Sequence, residues 1–225
     1  MTTDAGSSRD DVAVALVLLA LAGGVSVGFG RGGGLAGIFQ LPLRRHRLLL
    51  TALGLYVLGV LGGWAWEPLL SILAALAWLT TALYAWVNRR VSGAAMVAAG
   101  LAANGLVLLL NGAVPVSHSA ASDAGADPAA VIETAGHERS GPDTLLPWLG
   151  KTVPVAFPPH PEVVSPGDVA VAAGLSVMVC LGMVHTVRRA VPSPADRTSD
   201  AEPASTAAER DTMSADPELR RSVVF

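Results

Sequence analysis

The chain has 225 residues, of which 52% are hydrophobic and only 15% charged, with a formal net charge of −3. That balance is too apolar for an ordinary soluble domain and points to a chain that crosses a membrane several times. So small a net charge offers nucleic acid no basic surface, and a single cysteine, Cys180, precludes an intrachain disulfide.

A helix crossing the hydrocarbon core needs about 20 mostly apolar residues. After a disordered N-terminal segment (1–11), five stretches meet that need: 12–30, 47–66, 69–87, 92–111 and 168–187. The first is flanked by Asp4, Asp10 and Asp11 against Arg9 alone, and no Ala-x-Ala site follows. It therefore reads as a retained span rather than a signal peptide. Glu67-Pro68 reads as a tight turn joining spans two and three, with proline at a first helical position. The expected architecture is all-α and polytopic, with five transmembrane helices. Residues 12–111 form a four-helix membrane region, 112–166 an extracytoplasmic loop, 167–189 the fifth helix and 190–225 a disordered cytoplasmic tail.

Orientation follows from the arginines. Arg31, Arg44, Arg45 and Arg47 follow span one, Arg89 and Arg90 follow span three, and Arg188 and Arg189 end span five. The alternate segments are poor in positive charge, which places the N-terminus outside and the C-terminus inside. Trp64, Trp66, Tyr84 and Trp86 fall where amphipathic rings prefer to sit, at span ends. Fourteen arginines against one lysine, Lys151, is a usage common in GC-rich bacteria, so the expected location is a bacterial plasma membrane.

Within the spans, Gly24-x-x-x-Gly28 and the small residues around Gly174 permit close helix contact, either inside the bundle or between copies in an oligomer. Asn104 and Asn111 share a face of span four, and Asn104 lies about 10 Å inside the outer boundary, so its amide needs a partner. That partner is either one structural hydrogen bond or a substrate path. Lysine, arginine, aspartate and glutamate are absent from the depth of every span, and no two half-spans are interrupted in matching positions. Both features oppose an ion-coupled transporter.

Gly28-x-Gly30-x-x-Gly33 formally matches a dinucleotide fingerprint, but a membrane helix precedes it and Leu-Leu-Leu-Thr follows where an acid is required. These glycines are instead expected to form a flexible exit. Leu35, Ile38 and Phe39 would then lie at the interface, and Arg44, Arg45 and Arg47 would meet anionic headgroups.

In the long loop, residues 119–142 are rich in Ala, Ser, Asp and Gly and are expected to be mobile. Asp143 or Thr144 is expected to cap a short turn that carries Leu145, Leu146, Trp148 and Leu149 at the surface. Val153, Val155 and Phe157 alternate, and prolines hold the chain extended back to span five. His118, His137 and His160, with Glu138, Asp143 and Asp168, have the residue types of a metal site but no ligand spacing, so no metal or other cofactor is expected. Ser117 and Ser140 lack a nucleophile motif.

Ser165-Pro166-Gly167-Asp168 opens the last span. Ser165 at the N-cap, Pro166 at the first helical position and Asp168 at N3 make a capping box, with Asp168 at the positive end of the helix dipole. Helix punctuation at the outer boundary explains all three side chains together.

The order "GLAANGLVLLLNGAVPVS", "DTLLPWLGKTVPVAF" and "VVSPGDVAVAAG" resembles small bacterial multispanning proteins grouped as domain-of-unknown-function family 5317. The family's Asn-Gly-x-x-Pro-Val step matches Asn111, Gly112 and Pro115, and its Ser-x-Gly-Asp-Val step matches Ser165, Gly167 and Asp168. Its Leu-Gly-Asp-x-Ile-Pro step matches Gly150 and Pro154 but meets Lys151 in place of the aspartate. The resemblance implies an integral membrane protein and brings no activity, catalytic residue or cofactor.

The functional expectation is a non-enzymatic scaffold that presents its outer loop, close to the bilayer, to another membrane or envelope protein. The alternatives are a small-molecule or lipid transporter or channel subunit, which Asn104 facing a wet cavity would favour, and a membrane-surface enzyme using His137, Asp143, His160 or Asp168.

Overall fold

A computed structural model describes residues 11–63, 66–133, 136–156 and 161–190. The expectations placed on residues 1–10 and 191–225, and on Trp64, Phe157 and His160, lie outside the described residues.

The chain is mostly helical. The long helices are α1 (Asp11–Gly30), α3 (Arg47–Gly63), α4 (Glu67–Val87), α5 (Ala94–Asn111) and α8 (Pro166–Ala190), with a single turn α2 (Ala36–Phe39) after the glycine-rich stretch. Each long helix falls on one of the five apolar stretches read from the sequence. Three are long and apolar enough to cross a membrane, over Pro68–Val87, Ala94–Asn111 and Pro166–Val184; Leu16–Gly30 and Arg47–Gly63 are apolar but shorter.

The helices pack in the order α3–α4–α5–α8–α1, with α2 against α8. Pro68 stands in the first turn of α4 as expected, but Glu67 and Pro68 are already helical rather than a separate turn, and Trp66 is the extended N-cap. Proline's missing N–H costs nothing there, so the first helical turn extends over both residues. Gly112 ends α5 with φ +76, a left-handed cap that L side chains rarely adopt.

Residues 112–165 form a head at one end of the bundle. Strands β1 (Val114–Val116) and β2 (His137–Arg139) pair in parallel, and β3 (Val153–Val155) and β4 (Glu162–Val164) pair antiparallel. A bridge from Val116 to Lys151 ties the two pairs together. The all-α expectation therefore holds for the bundle but omits these strands. At three residues each, they are too short to show an alternating pattern. The chain expected to run extended back to the last helix does so as paired strands, with Pro154 opposite Val163 in an antiparallel hairpin.

The stretch expected to be mobile is also built. Helix α6 (His118–Ala124) is capped by Ser117 Oγ, which accepts from Ala120 N, and α7 (Pro128–Ile132) by Asp127, which accepts from Ala129 N. Ala120, Ala121 and Ala124 pack around the fully buried Val163. Composition misled here because alanine is a weak hydrophobe but a strong helix former that lets a helix lie close to a strand.

Candidate functional site

The site lies where α8 begins. Ser165, 2% exposed, and the fully buried Val163 and Val164 bring β4 into the bundle, and the chain turns directly into α8. The capping box is complete. Asp168 N donates to Ser165 Oγ at 2.9 Å and Ser165 N donates to Asp168 Oδ2 at 3.0 Å. Asn104 of α5 closes the ring, since its Nδ2 donates to Asp168 Oδ1 at 2.6 Å and its Oδ1 accepts from Ser165 Oγ at 2.8 Å. The partner that Asn104 requires is thus the cap itself. Two buried glycines allow the approach, because a side chain at Gly167 would strike Asn104 and one at Gly100 would strike the Gly167 backbone.

This contact places Asp168 differently from the sequence reading. Asn104 is seven residues from the end of α5, about 10 Å along the helix. Asp168 is level with it and not with the end of the bundle. Gly105, the next residue, packs on Trp78 and Leu79, near the midpoint of α4. Helix α8 therefore starts part-way down its neighbours, and its first acid lies beside the middle of α4. Hydropathy reports where a helix begins in the sequence, not its offset against other helices.

Two adjoining cavities share Asp168, Asn104 and Trp78 as wall. One, of about 240 Å³, reaches into the head and is lined also by His137, Leu149, Lys151 and Ser165. The other, of about 310 Å³, has the apolar wall Val17, Leu18, Leu101 and Val171 and lies between α1, α4, α5 and α8. Lys151 Nζ is paired with Glu162 Oε1 at 3.3 Å, and both side chains are largely buried. His137 Nδ1 lies 3.1 Å from the Val131 carbonyl oxygen.

The other sequence-marked residues build the head rather than the cavity. Asn111 clamps Leu145 through both backbone groups, Oδ1 accepting from its N–H at 2.8 Å and Nδ2 donating to its carbonyl at 3.0 Å. A third bond runs from Nδ2 to the Val107 carbonyl. Asn111 therefore serves the loop while Asn104 serves α8, although the two are seven residues apart. Pro115 accepts from Lys151 N at 2.8 Å, and Gly150 is required beside it because a Cβ there would meet the Pro115 carbonyl. Pro154 is exposed on β3. Thr144 Oγ1 accepts from Gly141 N to close a turn. The following 3-10 turn, Pro147–Leu149, has Leu146 at its N-cap, with φ +53, in place of the expected Asp143 or Thr144. Of the four apolar side chains expected at the surface here, Leu145 and Trp148 are exposed, at 52% and 63%, whereas Leu146 is half-buried and Leu149 lines the head-side cavity. Asp143 is exposed and does not line the cavities, and among the described residues no three His, Cys, Asp or Glu side chains converge.

Asn88 escaped the sequence reading. It is 5% exposed at the end of α4 and clamps Arg44 as Asn111 clamps Leu145: Oδ1 accepts from Arg44 N at 2.7 Å, and Nδ2 donates to the carbonyls of Arg44 and Tyr84. The signal was available, since both asparagines stand at the last turn of an apolar helix. At the same end, Arg89 stacks over Trp86 at 4.7 Å, and Phe39 is 88% exposed. The glycine exit is not loose: Gly34 N donates to the Met183 carbonyl, and a side chain at Gly33 would strike Met183.

The small-residue faces are occupied within the chain. A Cβ on Gly24 would come 2.6 Å from the Ser176 carbonyl oxygen, one on Gly28 would come 2.7 Å from Met183 Sδ, and Gly174 lies against Gly93 and Val97.

Fold and site together define a helical protein with the long apolar helices that membrane crossing requires, built around a capped polar contact beside a cavity. The chain belongs to the family of unknown function DUF5317, whose model matches residues 41–180 and so covers α3, α4, α5, the head and the first part of α8. No curated protein and no solved structure matches it.

Proposed function

We propose that the chain is a five-span protein of the bacterial plasma membrane, N-terminus outside and C-terminus inside, that binds a small amphiphile or lipid beneath its outer head. The apolar helices α1 and α3 supply the two spans beyond the three that are long enough by themselves. Arg31, Arg44, Arg45, Arg47, Arg89 and Arg90 cluster in the two connections on the side away from the head, which supports the orientation.

The observation that carries the binding reading is the position of Asp168. This ionisable group lies level with the middle of α4 and borders two cavities, one with His137, Lys151 and Ser165 among its apolar wall and the other lined almost wholly by apolar side chains. A polar end and an apolar end in adjoining spaces suit an amphiphile. Native mass spectrometry of the protein in mild detergent tests this. A retained lipid-sized adduct is expected, and Leu101→Trp, which fills the apolar wall, should remove it while the protein keeps a cooperative thermal transition. An adduct indifferent to that substitution, or no adduct on the parent protein, sinks the reading.

Leu145 and Trp148 carry a second reading, the membrane-apposed scaffold. They are exposed on a turn that Asn111 holds rigidly to α5, which favours a docking surface for an envelope protein. A photo-crosslinker in place of Trp148 should capture one dominant protein in cells; a diffuse pattern would remove the support.

A further inference from the structure

We propose that the cavity wall selects a positively charged ligand, an alkylammonium head on an apolar tail, with Asp168 as its counter-ion and Trp78 as its aromatic face. The inference rests on the cavity-binding reading and names its ligand class.

Lys151 lines the head-side cavity, but its ammonium is already paired with Glu162. Asp168 is held only by neutral donors, the Asn104 amide and the Ser165 backbone N–H. Among the described residues no lysine, arginine or histidine comes within ion-pair distance of it. Each of its carboxylate oxygens accepts one hydrogen bond from these donors and keeps further acceptor capacity. The wall therefore carries one carboxylate that no side-chain cation among the described residues pairs with.

Trp78 completes the recognition chemistry. It borders both cavities, as Asp168 does, and an aromatic ring and a carboxylate lining one cavity are the residue types that recognise substituted ammonium groups. Below it, Val17, Leu18, Leu101 and Val171 offer a tail only apolar contacts. The two spaces, about 240 and 310 Å³, together reach the size of ordinary small-ligand sites. The ammonium could belong to a free amphiphile or to an aminophospholipid headgroup, and the chemistry is shared.

Purified full-length protein in a non-ionic detergent is titrated with dodecyltrimethylammonium, with phosphatidylethanolamine, and with dodecyl sulfate and phosphatidylglycerol as anionic counterparts. Saturable binding of at least one ammonium probe is expected, with Asp168→Asn weakening it at least tenfold and Trp78→Leu several-fold. Asp168→Glu, which keeps the charge, should bind more tightly than Asp168→Asn. A cooperative thermal transition retained in every variant, above the temperature of the titration, guards against misfolding as the cause. Binding of the detergent cation alone assigns a free ligand, and binding of phosphatidylethanolamine assigns a lipid. If an anionic probe binds instead and Leu101→Trp abolishes it, the cavity reading survives and the ammonium proposal falls. Ammonium binding that is indifferent to both Asp168→Asn and Trp78→Leu also overturns the proposal.

Discussion

At Asp168 a helix cap and a cavity wall share one carboxylate. Its two oxygens accept from Asn104 and Ser165, and its own N–H is satisfied by Ser165 Oγ. Ser165 is the more sensitive partner, because its hydroxyl both accepts within the cap and donates to Asn104. Ser165→Ala should therefore lower stability by roughly 1–3 kcal/mol, since it removes a cap and leaves an amide oxygen unsatisfied. Thermal unfolding in detergent measures this, and Ser165→Thr should recover most of the loss. Asp168→Asn keeps a cap acceptor and should cost about 1 kcal/mol or less. Asn88 and Asn111 allow a parallel test at the two ends of the bundle. Replacing either by alanine removes three hydrogen bonds and should destabilise by about 1–3 kcal/mol. Hydrogen exchange should quicken at Arg44 for Asn88→Ala and at Leu145 for Asn111→Ala. Exchange that rises evenly over the whole chain would contradict the clamp assignment.

Among the elements, the seam between α5 and α8 decides the most. Glycines at 93, 100, 167 and 174 let the two backbones meet, and the contact fixes how far α8 is offset along α5. A Cβ on Gly174 would lie 2.8 Å from both the Gly93 carbonyl oxygen and Val97 N, against backbone that cannot move aside. Gly174→Ala should therefore lower the melting temperature by several degrees and weaken the Asn104–Asp168 contact. Gly54 of α3 has nothing within 4 Å, so Gly54→Ala should be neutral or stabilising by up to about 1 kcal/mol through helix propensity. Equal effects at the two sites would mean that the seam is not the determinant. Elements were unequally legible in the sequence. The five apolar helices were visible because a run of apolar residues needs no tertiary context. The capping box was visible because Ser165 and Asp168 are three residues apart and interact locally. The strands of the head were not, because Val114–Val116 and His137–Arg139 are stabilised by pairing across a gap in sequence.

For the whole molecule the open question is how the chain threads. Cysteine labelling in a Cys180→Ala background tests the proposed orientation: Ser122→Cys, on the exposed side of α6, should react with an impermeant reagent in intact cells, and Ser199→Cys only after lysis. Protection at Ser122 would invert the topology and move the cavity to the other leaflet. The sequence by itself determined the apolar, mostly helical character of the chain, the positions of the five apolar helices, the asymmetry of the arginines and the cap that opens α8, since each depends on composition or on neighbours within one helical turn. Only the tertiary structure decided that α8 begins beside the middle of α4, that the alanine-rich stretch folds, and that Asp168 meets Asn104 at a cavity. Hydropathy is a property of one segment at a time, whereas the axial offset between helices depends on where glycines on both allow contact. That offset moved Asp168 from the end of a span to the wall of a cavity.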